Sequence, residues 1–416
     1  MRKHDRLIVF LIPPDKIVNG GILSIFSICK TSRQFSDIHK SEVMLSVYPN
    51  HDSYKKNDLF ENDEEILSFD EIVKMGTPQS FILHVPEYAS WDVYWSLKKY
   101  SAYLEAIPEL SINIMLQNIL LLQKPYEVAN WFSLTPNVTQ TTAHNKYSKQ
   151  ELADEYFIPT HHLSTFVDAK QYKWTPYKDK EKLIVLSPDV VAEKEALVET
   201  LKKGLPDYEF ITIQNMRYEE YKAVMTRAKF AITFGEGFDG YFVEAFFTGG
   251  IALAVYNDEF FPDNNFAGYK NTFPSYANMH SKILEVISYL DSNKTYTAVV
   301  KSNLDNINKY YSFEAYTKNL ENFYLRKYTY SPKPEAAKGL IKSILVDRDN
   351  TIDRLNNGIK ERDLAIANQD KMIADKSKTI EDLSAQFDSV LTSSSWRVTK
   401  PLRKASSVIK NRKTRR

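Results

Sequence analysis

One segment in the second half of the chain most constrains the fold. Residues 230–234 form an apolar run, and a loop containing Gly235, Gly237 and Gly240 follows before helical spacing begins near Tyr241. The run predicts a buried parallel strand, and glycines let the backbone approach a ligand without a Cβ atom in the way. The N–H groups that are free at the start of a helix favour anions, phosphate in particular. The segment therefore predicts a strand–loop–helix unit of an α/β domain with an anion site at its loop.

Two carboxylates mark the same segment. Glu236 lies in the loop and Glu244, eight residues later, lies a turn into the helix. The pattern resembles the E-x7-E signature of retaining, nucleotide-sugar-dependent glycosyltransferases of family 4, which have the GT-B architecture. The chain departs from that signature where Asp239 replaces a glycine and Ile251 replaces a proline. The matching positions are Glu236, Gly237, Phe238, Glu244, Ala245 and Gly249.

The resemblance implies an α/β fold in which two Rossmann-like domains face a cleft. It places Glu236 beside the donor sugar as a catalytic residue, and it places Glu244 on the ribose hydroxyls. The other donor-binding residues that it implies in this loop are Gly237, Phe238, Asp239 and Gly240. The pattern also leaves open an ordinary strand–loop–helix with two surface carboxylates.

A second glycine turn follows the first predicted strand. Residues 7–12 are apolar, Gly20 and Gly21 come next, and helical spacing begins near Ile22. A strand, a glycine turn and a helix in this order suit a phosphate-facing loop. The resemblance implies that the amides of Gly20 and Gly21 approach the donor diphosphate, although a plain turn is the alternative.

Further strands are predicted at residues 42–48, 80–85, 112–117 and 137–142, with helical stretches between them. This alternation predicts a parallel sheet with helices on both faces, and ligands bind such sheets at the carboxyl ends of the strands. The polar residues that stand at those ends are His84, Glu87, Gln117 and Asn118. We expect them to contact sugar hydroxyls, with His84 and Asn118 as catalytic candidates beside Glu236.

The chain is expected to divide into an acceptor domain over residues 1–166, a linker over 167–182 and a nucleotide-sugar domain over 183–330. The resemblance implies an arginine after the first strand of the second domain and a lysine five residues later, both on the diphosphate. Ser187 and Ala192 occupy those places, and we expect Lys194 to substitute as a point charge. The resemblance also implies a helix near residues 313–328 that crosses back onto the first domain.

From Leu345 onward the pattern is a heptad repeat. Apolar residues recur at every seventh position: Leu345, Ile352, Ile359, Ile366, Ile373, Ile380 and Phe387. Such a repeat is typical of a left-handed coiled coil, which is expected over residues 340–391. A stripe this narrow cannot be buried by one helix alone, so we expect a homo-oligomer, either dimer or trimer, over a solitary or intramolecularly packed helix.

The last segment, residues 392–416, is basic. Residues 397–416 contain nine Lys or Arg and no acidic residue, which leaves about −8 on the rest of a chain of net charge +1. Its S-S-S-W-R-V-T-K-P-L-R stretch resembles an ending found on bacterial enzymes of surface-polysaccharide assembly. Trp396, Arg397, Leu402 and Arg403 are predicted to bind an anionic membrane surface. Nucleic acid is the competing partner for a basic tail, but no recognition fold accompanies it.

Composition limits the remaining choices. The single cysteine, Cys29, excludes an internal disulfide and fits a reducing compartment. No run of about 18 apolar residues is present, so no membrane-spanning helix is expected. No clustered Asp-x-Asp or His/Cys constellation points to a metal, and no cofactor is expected beyond the nucleotide-sugar co-substrate.

These observations favour one function over two alternatives. We expect a retaining, metal-independent transferase on the cytoplasmic face of the cytoplasmic membrane. It would move a sugar from a nucleotide-diphosphate sugar to a hydroxyl of a growing, lipid-linked O-antigen or capsular glycan. The alternatives are a non-catalytic, membrane-recruited scaffold of a polysaccharide-assembly complex and a nucleotide-sugar epimerase.

Overall fold

The computed structural model describes residues 4–413 except 165, 167 and 215, and it describes only the backbone of residues 407–413. The first residue of the predicted linker, 167, and the last three of the tail, 414–416, therefore lie outside the described residues. The chain divides into two units between Ser343 and Ile344, and each is considered separately.

The first unit contains twelve described strands in two sheets, and every paired strand is parallel. The strands are β1 (Arg6–Ile12), β2 (Glu42–Val47), β3 (Ile66–Leu67), β4 (Ser80–Pro86), β5 (Glu109–Leu116), β6 (Val138–Thr142), β7 (Thr160–His162), β8 (Glu181–Leu186), β9 (Glu209–Thr212), β10 (Ala228–Ile232), β11 (Ile251–Val255) and β12 (Thr272–Phe273). The first lobe has the order β3-β2-β1-β4-β5-β6-β7, and the second has the order β12-β11-β10-β8-β9.

Helices follow most strands, as the alternation of the sequence predicts. They are α1 (Gly20–Ser32), α2 (Ser36–His39), α3 (Phe69–Lys74), α4 (Ser90–Leu97), α5 (Ser101–Glu105), α6 (Pro125–Val128), α7 (Gln150–Tyr156), α8 (Lys194–Gly204), α9 (Tyr218–Arg227), α10 (Gly240–Phe247), α11 (Tyr276–Leu290), α12 (Asn293–Tyr310), α13 (Phe313–Tyr324), α14 (Ala337–Thr392), α15 (Ser394–Val398) and α16 (Lys400–Lys413). Helix α12 was not predicted. The strand expected at residues 230–234 lies two residues earlier.

The first sheet is buried on both faces. Residues 7–12 of β1 are completely inaccessible, and their side chains divide between two apolar clusters on opposite sides of the sheet. A continuous apolar run is what a central parallel strand requires, because helices cover both faces of such a sheet.

Helix α13 packs on the first lobe although it follows the second lobe in sequence. Tyr316 and Leu320 are at most 1% exposed and belong to the same apolar cluster as β1. The Tyr324 hydroxyl donates to Ser32 Oγ at 2.6 Å. Helix α13 is thereby joined to the first lobe.

The second lobe is built around an aromatic core. Phe242 and Phe246 of α10 are fully buried, and their rings lie 5.2 Å apart. Phe261 packs edge-on against Phe242, with ring centroids 5.4 Å apart. This packing fixes α10 beneath the loop that follows β10.

The two lobes touch at several points. The Tyr218 amide, at the start of α9, donates to the Leu59 carbonyl oxygen of the first lobe at 3.4 Å. Lys146 Nζ of the first lobe lies 2.5 Å from Asp258 Oδ1 of the second. These contacts hold the carboxyl ends of the two sets of strands opposite each other.

The second unit contains most of α14, a 56-residue helix, as the heptad repeat predicts. The heptad side chains are exposed in the single chain, from 44% at Leu345 to 66% at Ile380. In the tail, Arg403 lies over the Trp396 ring, 3.6 Å from its centroid, and Leu402 is 72% exposed. Within the described residues no helix has the length and apolarity needed to cross a bilayer.

Candidate active site

The glycine loop after β10 depends on two left-handed backbone positions. Gly235 has φ +73° and Gly237 has φ +81°, values that L-residues with side chains rarely adopt. A Cβ atom at Gly237 would lie 2.5 Å from the Val255 carbonyl oxygen and 3.0 Å from the Phe261 ring. Glycine at 237 is therefore required both by backbone conformation and by space.

Replacing Gly237 with alanine should lower the free energy of unfolding by about 2–4 kcal/mol, because the left-handed backbone and the contact with Val255 both cost energy. Chemical denaturation of the purified variant measures this loss. Gly268→Ala is the matched control, since a Cβ there meets nothing within 4 Å. Equal stability of the two variants would contradict the assignment.

Asp239 caps the helix that follows the loop. Its Oδ1 accepts from the Phe242 amide at 2.9 Å, and its Oδ2 accepts from the Thr233 hydroxyl at 2.8 Å. Burial raises the pKa of Asp239 to about 8, although both hydrogen bonds oppose the shift. The resemblance implied donor binding for Asp239. The carboxyl group of Asp239 caps α10, so a phosphate here would compete with it for the Phe242 amide, and donor binding by Asp239 stays a prediction.

Glu236 faces the first lobe. Its Oε1 accepts from the side-chain Nδ2 of Asn118 at 2.8 Å, and the backbone N–H of Asn118 donates to Glu87 Oε1 at 2.7 Å. Glu236 and Asn118 were both predicted as catalytic, and the structure brings them together from the carboxyl ends of β10 and β5. Asn118 thus links two carboxylates that belong to different lobes.

Both of these carboxyl groups hold their protons unusually well. Burial raises the pKa of Glu236 to about 7, assisted by the negative charges of Asp189 and Glu87. Burial likewise raises the pKa of Glu87 to about 7, against the amides of Asn118 and Gln117. Near neutral pH the site therefore carries less negative charge than its composition indicates.

Glu244 lies deeper, within a group of tyrosines. It is 5% exposed, and the Tyr218 hydroxyl donates to its Oε1 at 3.5 Å. Burial raises the pKa of Glu244 to about 7, and the hydroxyls of Tyr221, Tyr172 and Tyr218 oppose the shift. Tyr172 and Tyr218 also share a hydrogen bond of 2.5 Å. A ribose that reached Glu244 would have to replace or join these hydroxyls.

The glycine turn of the first lobe lies beside Asn118. Helix α1 begins at Gly20, where Asn19 Oδ1 accepts from the Ile22 amide at 2.9 Å. Gln117 Nε2 donates to the Gly21 carbonyl oxygen at 3.1 Å, and a Cβ at Gly21 would meet Gln117 Oε1 at 2.8 Å. Gly21 thus permits close packing against the strand end that carries Asn118.

Lys194 is tied to its own loop. Its ammonium group donates to the carbonyl oxygens of Ser187 at 2.6 Å and Asp189 at 2.8 Å, and it lies 5.0 Å from the Phe234 ring centroid. Asp189 in turn lies within 3.6 Å of a Cβ built at Gly235. Lys194 is therefore next to the glycine loop, but two of its three donors are already engaged.

The structure does not bring His84 to this group. The ring is 1% exposed and stacks on Phe10 with centroids 4.1 Å apart, and its Nδ1 accepts a hydrogen bond from Asn113 Nδ2 at 3.0 Å. Phe323 of α13 covers it at 5.5 Å. Burial lowers the pKa of His84 to about 3. This enclosure argues against the predicted catalytic role and makes His84 a core residue.

Several site residues were not predicted. Asp189 stands three residues after the end of β8, where the rule for strand ends could have found it. The tyrosines around Glu244 carry no such signal, because Tyr172 belongs to the predicted linker and Tyr218 to a helix start. Within the described part of the chain, no three or more His, Cys, Asp or Glu side chains are placed to hold a metal ion.

The fold and this arrangement define a GT-B architecture: two parallel α/β sheets whose carboxyl ends face each other. Neither a protein-family model nor a curated protein matches the sequence. Solved structures do match the fold of the chain. HepE of Anabaena, in complex with UDP and glucose, is 10% identical with a TM-score of 0.50, over 77% of this chain and 100% of that one.

Sucrose-phosphate synthase from Thermosynechococcus elongatus is 9% identical with a TM-score of 0.50, over 77% of this chain and 99% of that one. UDP-N-acetylglucosamine 2-epimerase from Rickettsia bellii is 10% identical with a TM-score of 0.41, over 77% of this chain and 99% of that one. At these identities the likeness establishes the fold.

Proposed function

We propose that this protein is a glycosyltransferase that moves a sugar from a nucleotide-diphosphate sugar to a hydroxyl group. One observation carries the proposal. The hydrogen bond of 2.8 Å between Asn118 and Glu236 joins the carboxyl ends of both sheets, where ligands of open α/β sheets bind. HepE has the same fold and holds UDP and glucose, which supports a donor of this class.

The proposed donor lies between the glycine turns of the two lobes. Gly20 and Gly21 approach the diphosphate from the first lobe, and Gly237, Phe238 and Gly240 border it in the second. Stabilisation of the charge that develops on the leaving diphosphate is the main catalytic requirement, because the bond to the sugar breaks toward that group. Backbone amides and the remaining N–H of Lys194 are the groups available for it.

The two carboxylates have separate proposed roles. Glu236 orients the donor sugar, exchanging its hydrogen bond with Asn118 for one with a sugar hydroxyl. Glu244 accepts hydrogen bonds from the ribose, in place of the Tyr218 hydroxyl. We further propose transfer with retention and without a metal, as the resemblance to family 4 implies.

The second unit supports a proposal for the acceptor and for the cellular location. We propose a hydroxyl of a lipid-linked O-antigen or capsular glycan, reached at the inner face of the cytoplasmic membrane. The exposed heptad residues support a homo-oligomer, and Trp396, Arg397, Leu402 and Arg403 support attachment to anionic lipid.

One observation favours a second candidate, a non-catalytic scaffold. Lys194 is held by two backbone carbonyls, and the acidic residues Asp189 and Glu87 lie close enough to Glu236 to raise its pKa. A site with so little free positive charge is poorly suited to a diphosphate. A scaffold predicts no donor binding, whereas an epimerase would turn over the nucleotide sugar without any acceptor.

Glu244→Ala tests the donor site. The substitution should weaken donor affinity by about 1–3 kcal/mol, or roughly 5- to 150-fold, because buried ribose hydroxyls lose their acceptor. Titration calorimetry with the best-bound nucleotide sugar measures the change. Glu195→Ala, on an exposed position of α8, is the control, and Glu244→Gln shows whether loss of packing contributes. Unchanged affinity in Glu244→Ala would refute the ribose role.

Donor affinity should fall as pH rises from 6 to 8. The pKa of Glu236 is about 7, so the carboxyl is mostly protonated below this pH and repels the diphosphate above it. A nucleotide sugar is the suitable probe, because its diphosphate does not ionise in this range. We expect a decrease of several-fold, measured by calorimetry, and a flatter profile in Glu236→Gln. Affinity that rises with pH would contradict the assignment.

A further inference from the structure

Helix α4 exposes aromatic residues where a surface helix normally carries polar ones. Val93 and Leu97 pack into the first lobe and are at most 1% exposed. On the outer face, Trp91 is 39% and Trp95 is 53% exposed, with their rings 5.7 Å apart. Two adjacent indoles facing solvent are not explained by packing within the chain.

The loop after β5 adds two exposed aliphatic residues. Leu120 is 67% and Leu121 is 49% exposed. Two hydrogen bonds connect the loop to α4 and to the turn before it. The backbone N–H of Asn118 donates to Glu87, which precedes α4. The hydroxyl of Ser90, the first residue of α4, donates to Gln123 Oε1 at 2.9 Å. Trp91, Trp95, Leu120 and Leu121 are called the first-lobe patch below.

Lysines flank the first-lobe patch at both ends. Lys98 and Lys99 follow Trp95 by one helical turn, and Lys124 follows the loop; all three are exposed. The acidic residues in these segments are Asp92, on the edge of the helix face, and Glu127, whose Oε2 accepts from the Lys124 amide. Indole rings beside lysines are the combination that settles at the surface of a bilayer, where the rings enter the headgroup region and the ammonium groups meet anionic lipid.

We propose that the first-lobe patch docks on a bilayer that contains anionic lipids. This membrane contact belongs to the first unit and is independent of the tail. Asn118, two residues before Leu120, donates to Glu236 in the candidate site, so docking places the first-lobe side of the site at the lipid surface. A lipid-linked acceptor would then reach the site without leaving the membrane, a consequence that rests on the proposed function, whereas the docking itself does not.

Two measurements on the full-length protein test the docking. In the first, Trp91→Phe/Trp95→Phe removes two of the five tryptophans but keeps the patch apolar, and Trp396 of the tail is present in both proteins. Vesicles containing brominated phosphatidylcholine and phosphatidylglycerol should quench the wild-type protein more strongly than this variant, because bromine quenches only indoles that enter the bilayer. Equal fractional quenching would overturn the proposal.

In the second measurement, Trp91→Gln/Trp95→Gln should weaken partition onto phosphatidylcholine–phosphatidylglycerol vesicles about tenfold. Trp174→Gln is the matched control, because Trp174 is 51% exposed and lies beside Gly249 of the second lobe. Circular dichroism and donor calorimetry show whether each variant is folded and whether the donor site is intact. Unchanged partition of the double variant, or a change in oligomer mass without a change in partition, would overturn the proposal in favour of a protein contact.

Discussion

Replacing Glu236 with glutamine should slow glycosyl transfer about a hundredfold, a loss typical for one preorganised group that acts on the transition state. Glutamine keeps the shape of the side chain and can still accept from Asn118, so the lobes should still meet. It loses the carboxylate charge that orients the donor sugar as the bond to the diphosphate breaks. Single-turnover assays at saturating donor separate this effect on the chemical step from an effect on binding.

The control for this variant is Glu195→Gln, which removes the same charge from an exposed position of α8. A rate for Glu236→Gln within twofold of the wild-type rate would exclude the assigned role. A loss confined to donor affinity would move Glu236 from catalysis to binding alone.

Introducing two lysines into the heptad stripe should convert the protein from oligomer to monomer. Ile359 and Ile373 are 55% and 62% exposed in the single chain, and a coiled coil would bury both. Ile359→Lys/Ile373→Lys places charges in that seam, where they would lose hydration without gaining a partner. Sedimentation velocity over a range of concentrations measures the mass.

The matched control is Asn350→Lys/Asn357→Lys, which adds the same two charges at heptad positions facing away from the stripe. It should leave the mass unchanged. A wild-type protein that sediments as a monomer, or a stripe variant with wild-type mass, would refute the coiled coil.

Much of the fold could be predicted from the sequence because the central strands are continuous apolar runs. Strand β1 is an example, since only burial on both faces explains six consecutive inaccessible residues. Strands β3 and β12 could not be found in this way. Each has two residues and is defined by its pairing, such as Leu45 with Ile66, rather than by its own pattern.

Helix α12 was missed for a different reason. Its buried positions include Asn303 and Asn306 beside Val300, so polar side chains interrupt the apolar period. Asn303 exchanges hydrogen bonds with Asn271, which satisfies both amides in the core. The periodicity of apolar residues does not reveal such a buried asparagine pair.

The sequence predicted individual residues of the site but not which of them lie together. The strand-end rule selects Asn118 and the signature selects Glu236, yet their contact spans 118 positions and depends on how the lobes meet. The same rule selects His84 wrongly, because it cannot show that α13 returns to cover the ring. Nor does spacing reveal that Asp239 caps α10 or that tyrosines enclose Glu244.

The central claim is that a nucleotide-diphosphate sugar binds between the two lobes. Titration calorimetry of the full-length protein with a panel of nucleoside diphosphates and their sugars, at pH 6 and pH 8, tests it most directly. The account predicts saturable binding of one ligand per chain, stronger for the nucleotide sugar at the lower pH. Absence of binding heat for every ligand at both pH values, from protein shown to be folded, would contradict it and favour the scaffold.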